Sequence, residues 1–306
     1  MKALSKYVTD RNYRFLIDSH FGKYNTMSDD VYLKKCFKVC LGEGLNLDNP
    51  QTFNEKLQWL KLYNRKPEYT VMVDKYLAKD YVAKAIGEEY VIPTIGVWDK
   101  AEDIDFNQLP NRFVLKCNHN SGLGMYICKD KSKLTETQIK TIRKNLTRGL
   151  KQDYYLTGRE WPYKNVPRKI IAEQYMEDKE TKELRDYKFY CFSGVPKIIM
   201  INSDRGTGKT KADYFDMAFN WLDLKWGYDH AIVKPKKPNN FEKMKELAAI
   251  LSKDIPKIRV DFYEVDNKIY FSELTFFDGS GFDKFEPKEW DKKLGTMIEL
   301  PRNANE

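Results

Sequence analysis

The sequence predicts an α+β protein, and three observations carry that expectation. Two pairs of β-type stretches each resume across a two-residue turn: Tyr187–Phe192 and Val195–Asn202 about Ser193-Gly194, and Ile258–Val265 and Lys268–Leu274 about Asp266-Asn267. Such pairs predict antiparallel hairpins rather than parallel strands joined by crossovers. Between them lie segments with helical apolar spacing and recognisable start signals. The chain has 306 residues, 42% hydrophobic and 32% charged, which is enough to bury the core of two lobes plus a helical extension.

In chain order, residues 1–66 read as helical and irregular, without a strong strand. Thr52-Phe53-Asn54-Glu55 is a capping box: the Thr hydroxyl and the Glu carboxylate each satisfy an orphan amide. It opens a helix carrying Leu57, Trp59 and Leu60. A second helix is expected near Val71–Ile86, with Gly87 as a left-handed cap. Val91–Trp98 and Phe113–Cys117 read as extended. A Gly-containing turn, Asn118–Gly124, leads to a short strand at Met125–Cys128. Thr135-x-x-Gln138 starts a helix with Ile139, Ile142, Leu146 and Leu150 on one stripe. After a Pro-containing loop at Trp161–Pro167, Lys169–Tyr175 is extended. Phe241, Met244, Leu247, Ala248 and Leu251 mark a late amphipathic helix. The clearest internal boundary is the loop near 155–168, so the expected organisation is a helical segment 1–66, a first lobe 67–165 and a second lobe 166–306.

Bulk chemistry narrows the class. No apolar run approaches the roughly 18 residues of a membrane helix, and the first residues lack the apolar stretch of a secretory signal. Five cysteines, odd in number and without C-x-x-C spacing, read as reduced thiols in a reducing compartment. The surplus of 53 Lys+Arg over 45 Asp+Glu gives +8, which suits an anionic partner without choosing one.

The informative chemistry lies in the last hairpin. On a strand, side chains alternate faces, so Arg259 and Asp261 point one way, as do Glu273 and Thr275 on the paired strand. Two carboxylates at that separation suit Mg²⁺ bridging nucleotide phosphates. Arg259 adds fixed positive charge where phosphoryl transfer develops negative charge. The same pattern also fits a solvated polar face with an Arg259–Glu273 cross-strand ion pair. Upstream, Lys116 leaves an apolar strand just before the small-residue loop Asn118–Gly124, an arrangement that binds phosphate through backbone amides and a point charge.

The ordered set resembles the ATP-grasp superfamily, which includes D-alanine–D-alanine ligase. The set comprises Asp74-Lys75 at a helix head, Lys116 with its loop, Glu173-Gln174-Tyr175-Met176, Arg259-x-Asp261 and Glu273-x-Thr275, and it covers roughly 70–295. Phe53-Asn54-Glu55-Lys56-Leu57-Gln58-Trp59, Leu115-Lys116-Cys117-Asn118-His119 and Ser272-Glu273-Leu274-Thr275 are similar to the TupA-like, teichuronopeptide-biosynthesis branch. The resemblance implies an ATP-grasp fold, with nucleotide held between the antiparallel sheets of two α+β lobes. It implies an ATP- and Mg²⁺-dependent carboxylate–amine ligase working through an acyl phosphate. Lys75 and Lys116 would contact phosphates, with Ser121 and Gly122 of the loop closing over them. Glu173, Gln174, Tyr175 and Met176 would form the hinge that reads adenine, and Asp186, with Lys188 two residues on, would serve the ribose end. Asp261, Glu273 and Thr275 would hold the metal, although Thr275 stands where the family pattern has Asn. Arg259, with Lys116 and Arg205, would steady the transferred phosphoryl group. By analogy the substrates are an amino acid or amine and a uronic acid of a bacterial surface polysaccharide. The expected setting is cytoplasmic, at the inner membrane face beside a membrane-bound assembly, with no nucleic-acid partner.

Other signals read less specifically. Gly206-Thr207-Gly208-Lys209-Thr210 lacks the P-loop's first glycine, Ser203 standing there instead, so it reads as a basic loop that folds over phosphates or stays solvated. His119 is a base or a locally bonded loop histidine, and Asp278-Gly279-Ser280-Gly281 an acceptor-binding segment or a tight turn. A nucleotide-sugar glycosyltransferase and a non-catalytic polyanion-binding module are the rival functions.

Overall fold

The computed structural model describes residues 2–179, 184–204 and 208–301, with backbone alone over 2–4. The chain begins with helices α1 (Lys2–Thr9), α2 (Arg11–His20), α3 (Asp29–Leu41), α4 (Phe53–Tyr63), α5 (Glu68–Val73) and α6 (Leu77–Ile86). Strands β1 (Thr94–Trp98), β2 (Phe113–Cys117) and β3 (Met125–Cys128) follow, then α7 (Glu136–Lys151), the single turn α8 (Tyr155–Gly158) and β4 (Ile170–Gln174). The remainder is β5 (Arg185–Phe192), β6 (Val195–Ser203), β7 (Lys211–Asp216), β8 (Trp221–Leu222), β9 (Lys225–Trp226), α9 (Phe241–Leu251), β10 (Lys257–Val265), β11 (Lys268–Thr275), β12 (Phe285–Glu286) and α10 (Glu289–Thr296).

Two antiparallel sheets form the frame. One has the order β1-β4-β2-β3 and the other β11-β10-β5-β6-β7-β8, with β12 and β9 paired separately. The turns explain the hairpins locally. Ser193-Gly194 and Asp266-Asn267 all take positive φ (47°, 82°, 50° and 60°), the twist that matches the right-handed twist of flanking strands.

Both capping boxes form, at Thr52 with Glu55 and at Thr135 with Gln138. The helix expected over 71–86 is instead two helices, and the break has a cause. Asp74 leaves helical geometry at ψ 111°, and its Oδ1 accepts from the amides of Tyr76 and Leu77 at 2.8 and 3.3 Å. A side chain that caps the next helix's free amides competes with helix continuation. Gly87 closes α6 at φ 122° and ψ 149°, outside the left-handed helical region expected for it.

Burial sorts into three cores. Phe113, Leu115, Ile142, Leu146, Ile170 and Ala172 pack α7 on the four-stranded sheet. Phe15, Tyr32, Leu33 and Cys36 join α2 to α3. The largest core covers the six-stranded sheet and takes in Phe53, Leu57 and Leu60 of α4. Within the helical N-terminal segment, α4 packs on the second sheet and, through Leu62, also against the α2–α3 core. All five cysteines are free thiols. Among the described residues, no helix is long and apolar enough to cross a membrane.

Candidate active site

The Asp74 break is what places Lys75. Between α5 and α6 the Lys75 amide donates to the Asn118 carbonyl at 3.0 Å, while Asn118 Nδ2 donates to Asp74 Oδ1 at 2.9 Å. This stitches the helix junction to the loop after β2. The Lys75 ammonium donates to the Asn120 carbonyl at 2.7 Å and lines a cavity with Ser121. Burial lowers its pKa, and neighbouring Lys116 adds to that, against Glu273.

Lys116, next to last in β2, has its Nζ 2.5 Å from Glu173, whose other oxygen meets Lys79 at 2.7 Å. Burial opposes the charge on Glu173, but Lys116 and Lys79 outweigh it and hold its pKa below the ordinary range. The loop between β2 and β3 needs its glycines: a Cβ on Gly124 (φ 72°) would lie 2.8 Å from Cys117 Sγ and 3.0 Å from Gly149 Cα. Gly122 (φ 81°) has open space around it. His119 is buried, with Nε2 3.1 Å from the Gln152 carbonyl, and burial lowers its pKa to about 4. It bonds locally and does not line the cavity.

The β10–β11 face matches the sequence reading in register: Arg259 lies opposite Thr275 and Asp261 opposite Glu273. Arg259 is the hub. Its Nε and Nη2 grip Asp261 at 2.6 and 2.7 Å, and Nη2 also reaches Glu273 at 2.9 Å and Thr275 Oγ1 at 3.0 Å. Nη1 donates to Asp278 at 2.5 Å. The cross-strand ion pair therefore exists, but the face is not solvated: Arg259 is 13% exposed and Asp261 0%. Lys188 bridges Asp186 and Asp261 at 2.9 and 2.6 Å. Burial works against the Glu273 carboxylate, yet Arg259, Lys75, Lys188 and Lys116 together hold its pKa down to about 2.

These groups open onto a cavity of about 550 Å³. Lys75, Lys188, Arg259, Glu273 and Thr275 form one end. Tyr154, Tyr163, Trp226 and Tyr228 supply aromatic walls, and Glu160, Asp283 and the 278–281 segment form the remainder. Gly279 (φ 52°) and Ser280 (φ 53°) are both left-handed, and a Cβ on Gly279 would strike the Asp283 carboxylate. A second cavity, of about 300 Å³, lies between Gln174, Tyr175 and Met176 on one side and Lys268 and Tyr270 on the other.

Several expectations need adjustment. The strand of the supposed hinge ends at Gln174, so Tyr175 and Met176 lie in the irregular chain after it. Asp261 is enclosed by Arg259 and Lys188 rather than open to the cavity, and Asp186 is buried against Lys188. Arg205 lies outside the described residues, as do Gly206 and Thr207, while Thr210 lines the larger cavity. Sequence reasoning missed Glu160, Asp283, the tyrosines and Trp226. None carries a local motif, and only their convergence in space marks them.

The sequence matches the model of the TupA-like ATP-grasp family over residues 55–299, and the chain belongs to that family. No curated protein matches it. Among solved structures it is similar to D-alanine–D-alanine ligase from Helicobacter pylori, at 16% identity and TM-score 0.43, covering 81% of this chain and 69% of that one. The Bacillus anthracis D-alanine–D-alanine ligase complexed with ATP aligns at 16% identity and TM-score 0.39, over 67% of this chain and 54% of that one. N5-carboxyaminoimidazole synthetase from Staphylococcus aureus aligns at 15% and 0.40, over 76% and 53%. The chain thus spans about half to two thirds of those chains' lengths, and the assignment rests on the family match.

ATP-grasp enzymes are ATP-dependent ligases that work with ATP and Mg²⁺. The donors here suit that metal. Glu273 is an ionised carboxylate, 36% exposed, with the Thr275 hydroxyl 3.4 Å from its Oε1. Among the described residues, no three His, Cys, Asp or Glu side chains are placed to cage an ion. Mg²⁺ takes one or two protein carboxylates plus substrate phosphates, and Glu273 is such a carboxylate.

Proposed function

We propose that the protein is a carboxylate–amine ligase: a carboxylate substrate is phosphorylated by ATP, and the resulting acyl phosphate is captured by an amine. The observation that carries this reading is the cationic end of the larger cavity, where Lys75, Lys188 and Arg259 surround the ionised Glu273. Lys75 and Lys116 hold phosphate oxygens, with Ser121 and Gly122 covering them through backbone amides. Gln174, Tyr175 and Met176 border the adenine end. Glu173 fixes Lys116 in place, and Asp186 with Lys188 lies at the ribose end. Arg259 steadies the acyl phosphate and the charge that develops as it forms. Glu273 and Thr275 would hold Mg²⁺, with Asp261, bonded to Arg259 and Lys188, as the neighbouring carboxylate. The metal supplies Lewis-acid neutralisation of the phosphate charge.

The carboxylate substrate is read as a uronic acid of a bacterial capsule or cell-wall glycan, and the amine as an amino acid or related compound. Aromatic walls that can stack on a sugar ring, beside cations that can take its carboxylate, support this reading. A cytoplasmic location at the inner membrane face, next to a membrane-bound assembly and without nucleic acid, belongs to the same proposal. The test is ADP release from Mg-ATP with uronic acids and amino acids supplied in pairs. ADP release that requires both partners and falls at least 10²-fold in Glu273→Ala supports the reading. ADP release indifferent to either partner, or unchanged in Glu273→Ala, contradicts it.

A further inference from the structure

Amide formation leaves a proton to place. At neutral pH an amino group of pKa roughly 8 to 10 is an ammonium ion and cannot attack until it loses that proton. The cationic end of the cavity is unsuited to receive it. Glu160, a carboxylate on the wall of the same cavity, can receive it.

Glu160 follows a sharp reversal of the chain. Arg159 takes left-handed φ 55° and turns inward, where it is 2% exposed, lies 4.5 Å above the Tyr32 ring and donates to the Tyr24 carbonyl at 2.7 Å. That anchor leaves the next side chain, Glu160, lining the cavity at 6% exposure. Its Oε1 accepts the Ser280 hydroxyl. Ser280 approaches because position 158 is glycine, where any Cβ would collide with the Ser280 hydroxyl. The left-handed φ of 53° at Ser280 is strained for a residue with a Cβ, and strain retained on a cavity wall points to a role there.

Behind this pair, the buried Lys61 donates to the Ser280 carbonyl at 2.6 Å, the Gly158 carbonyl at 2.7 Å and Gln58 Oε1 at 3.0 Å. It fixes both segments that carry the pair without using up the Glu160 carboxylate. The charged groups acting on Glu160 are Lys61 from α4 and Lys257 and Arg259 from β10, with the Tyr154 and Tyr163 hydroxyls nearby. Burial outweighs those cations and raises the Glu160 pKa.

We infer that Glu160 accepts the proton of the attacking amine, with Ser280 and Lys61 as its positioning residues. The inference rests on the ligase reading above. The amine nitrogen bonds to the acyl carbon, and the bond from that carbon to the phosphate oxygen breaks. The ammonium sheds its first proton to the Glu160 carboxylate before attack; inorganic phosphate then leaves with the bonding electrons and takes up the second nitrogen proton as hydrogen phosphate.

Hydroxylamine isolates this step, because it is already neutral at pH 7 and attacks an acyl phosphate without a base. The probes are glucuronate and galacturonate as carboxylates, glycine and L-lysine as amines, and hydroxylamine as the alternative nucleophile, all with Mg-ATP. The expected result for Glu160→Gln is an amide-to-hydroxamate ratio lower than wild type by on the order of 10²- to 10⁴-fold. Mg-ADP affinity checks that the variant is folded. Should it not fold, Ser280→Gly, which keeps Glu160 and removes its donor, carries the test with a ratio about tenfold lower. An unchanged ratio in the folded variant overturns the role of Glu160 and leaves the ligase reading standing. Absence of both amide and hydroxamate from wild type overturns the ligase reading and this inference with it.

Discussion

Arg259 sits among Asp261, Glu273 and Asp278, three carboxylates within hydrogen-bond distance of one guanidinium, and only its planar fork can satisfy them together. The arrangement was readable in part. Period-two alternation put Arg259, Asp261, Glu273 and Thr275 on one face because strand geometry is local. Asp278 and Lys188 reach the hub from elsewhere in the chain, and no local spacing announces them. Glu273 gives a pH expectation. Its folded pKa of about 2 lies below the ordinary 4.5, so the folded state binds its proton less readily than the unfolded chain does. Its stabilising contribution is complete above pH 4.5 and is lost as pH falls toward 2. Thermal melts from pH 5 to 2 should therefore show a shallower acid decline in Glu273→Gln than in wild type. Parallel declines would show that the cations do not act on Glu273 as described.

At the level of elements, α4 bears on the site more than its position suggests. Asn54, Gln58 and Lys61, at i, i+4 and i+7, form one polar stripe. Asn54 Nδ2 donates to the Asp283 carbonyl, Gln58 Nε2 to the Ser280 and Gly281 carbonyls, and Lys61 to the Ser280 and Gly158 carbonyls. The opposite requirement, burial, is met by Phe53, Leu57 and Leu60 in the main core. The capping box announced this helix in the sequence, but nothing there marked its polar stripe as bonding the cavity wall. Its partners lie 97 to 229 residues away, beyond any local pattern. Replacing Lys61 with Met removes the donor from three acceptors and leaves Glu160 without the cation that acts on it most strongly. A loss of about 2–5 kcal/mol in chemical denaturation is expected. A loss below about 0.5 kcal/mol would show that the stripe does not hold the cavity wall. The break at Asp74 is made locally, by its carboxylate capping Tyr76 and Leu77, as the helix-head reading of Asp74-Lys75 implies. Only its anchor to Asn118, 44 residues on, lay beyond local pattern.

At the scale of the whole molecule, two antiparallel sheets and the segments between them gather charges that the sequence scatters from Lys75 to Asp283. The net charge of +8 gave no location for them. The fold lines one cavity with Lys75, Lys188 and Arg259 and with Glu160 and Asp283, both signs of charge that joining an anionic acyl phosphate to an amine calls on. The hairpins, the capping boxes and the alternation along β10 and β11 made the fold and half of the candidate site legible. The other half depends on loops whose conformation is fixed by tertiary contacts. Nucleotide recognition is the claim on which the rest stands. The most direct measurement is calorimetric titration of Mg-ADP into wild-type protein and Lys75→Ala, with UDP as the control nucleotide. The account expects Mg-ADP binding of order micromolar, at least tenfold weaker in Lys75→Ala, and no comparable UDP binding. A preference for UDP, or Mg-ADP affinity indifferent to Lys75, would contradict it.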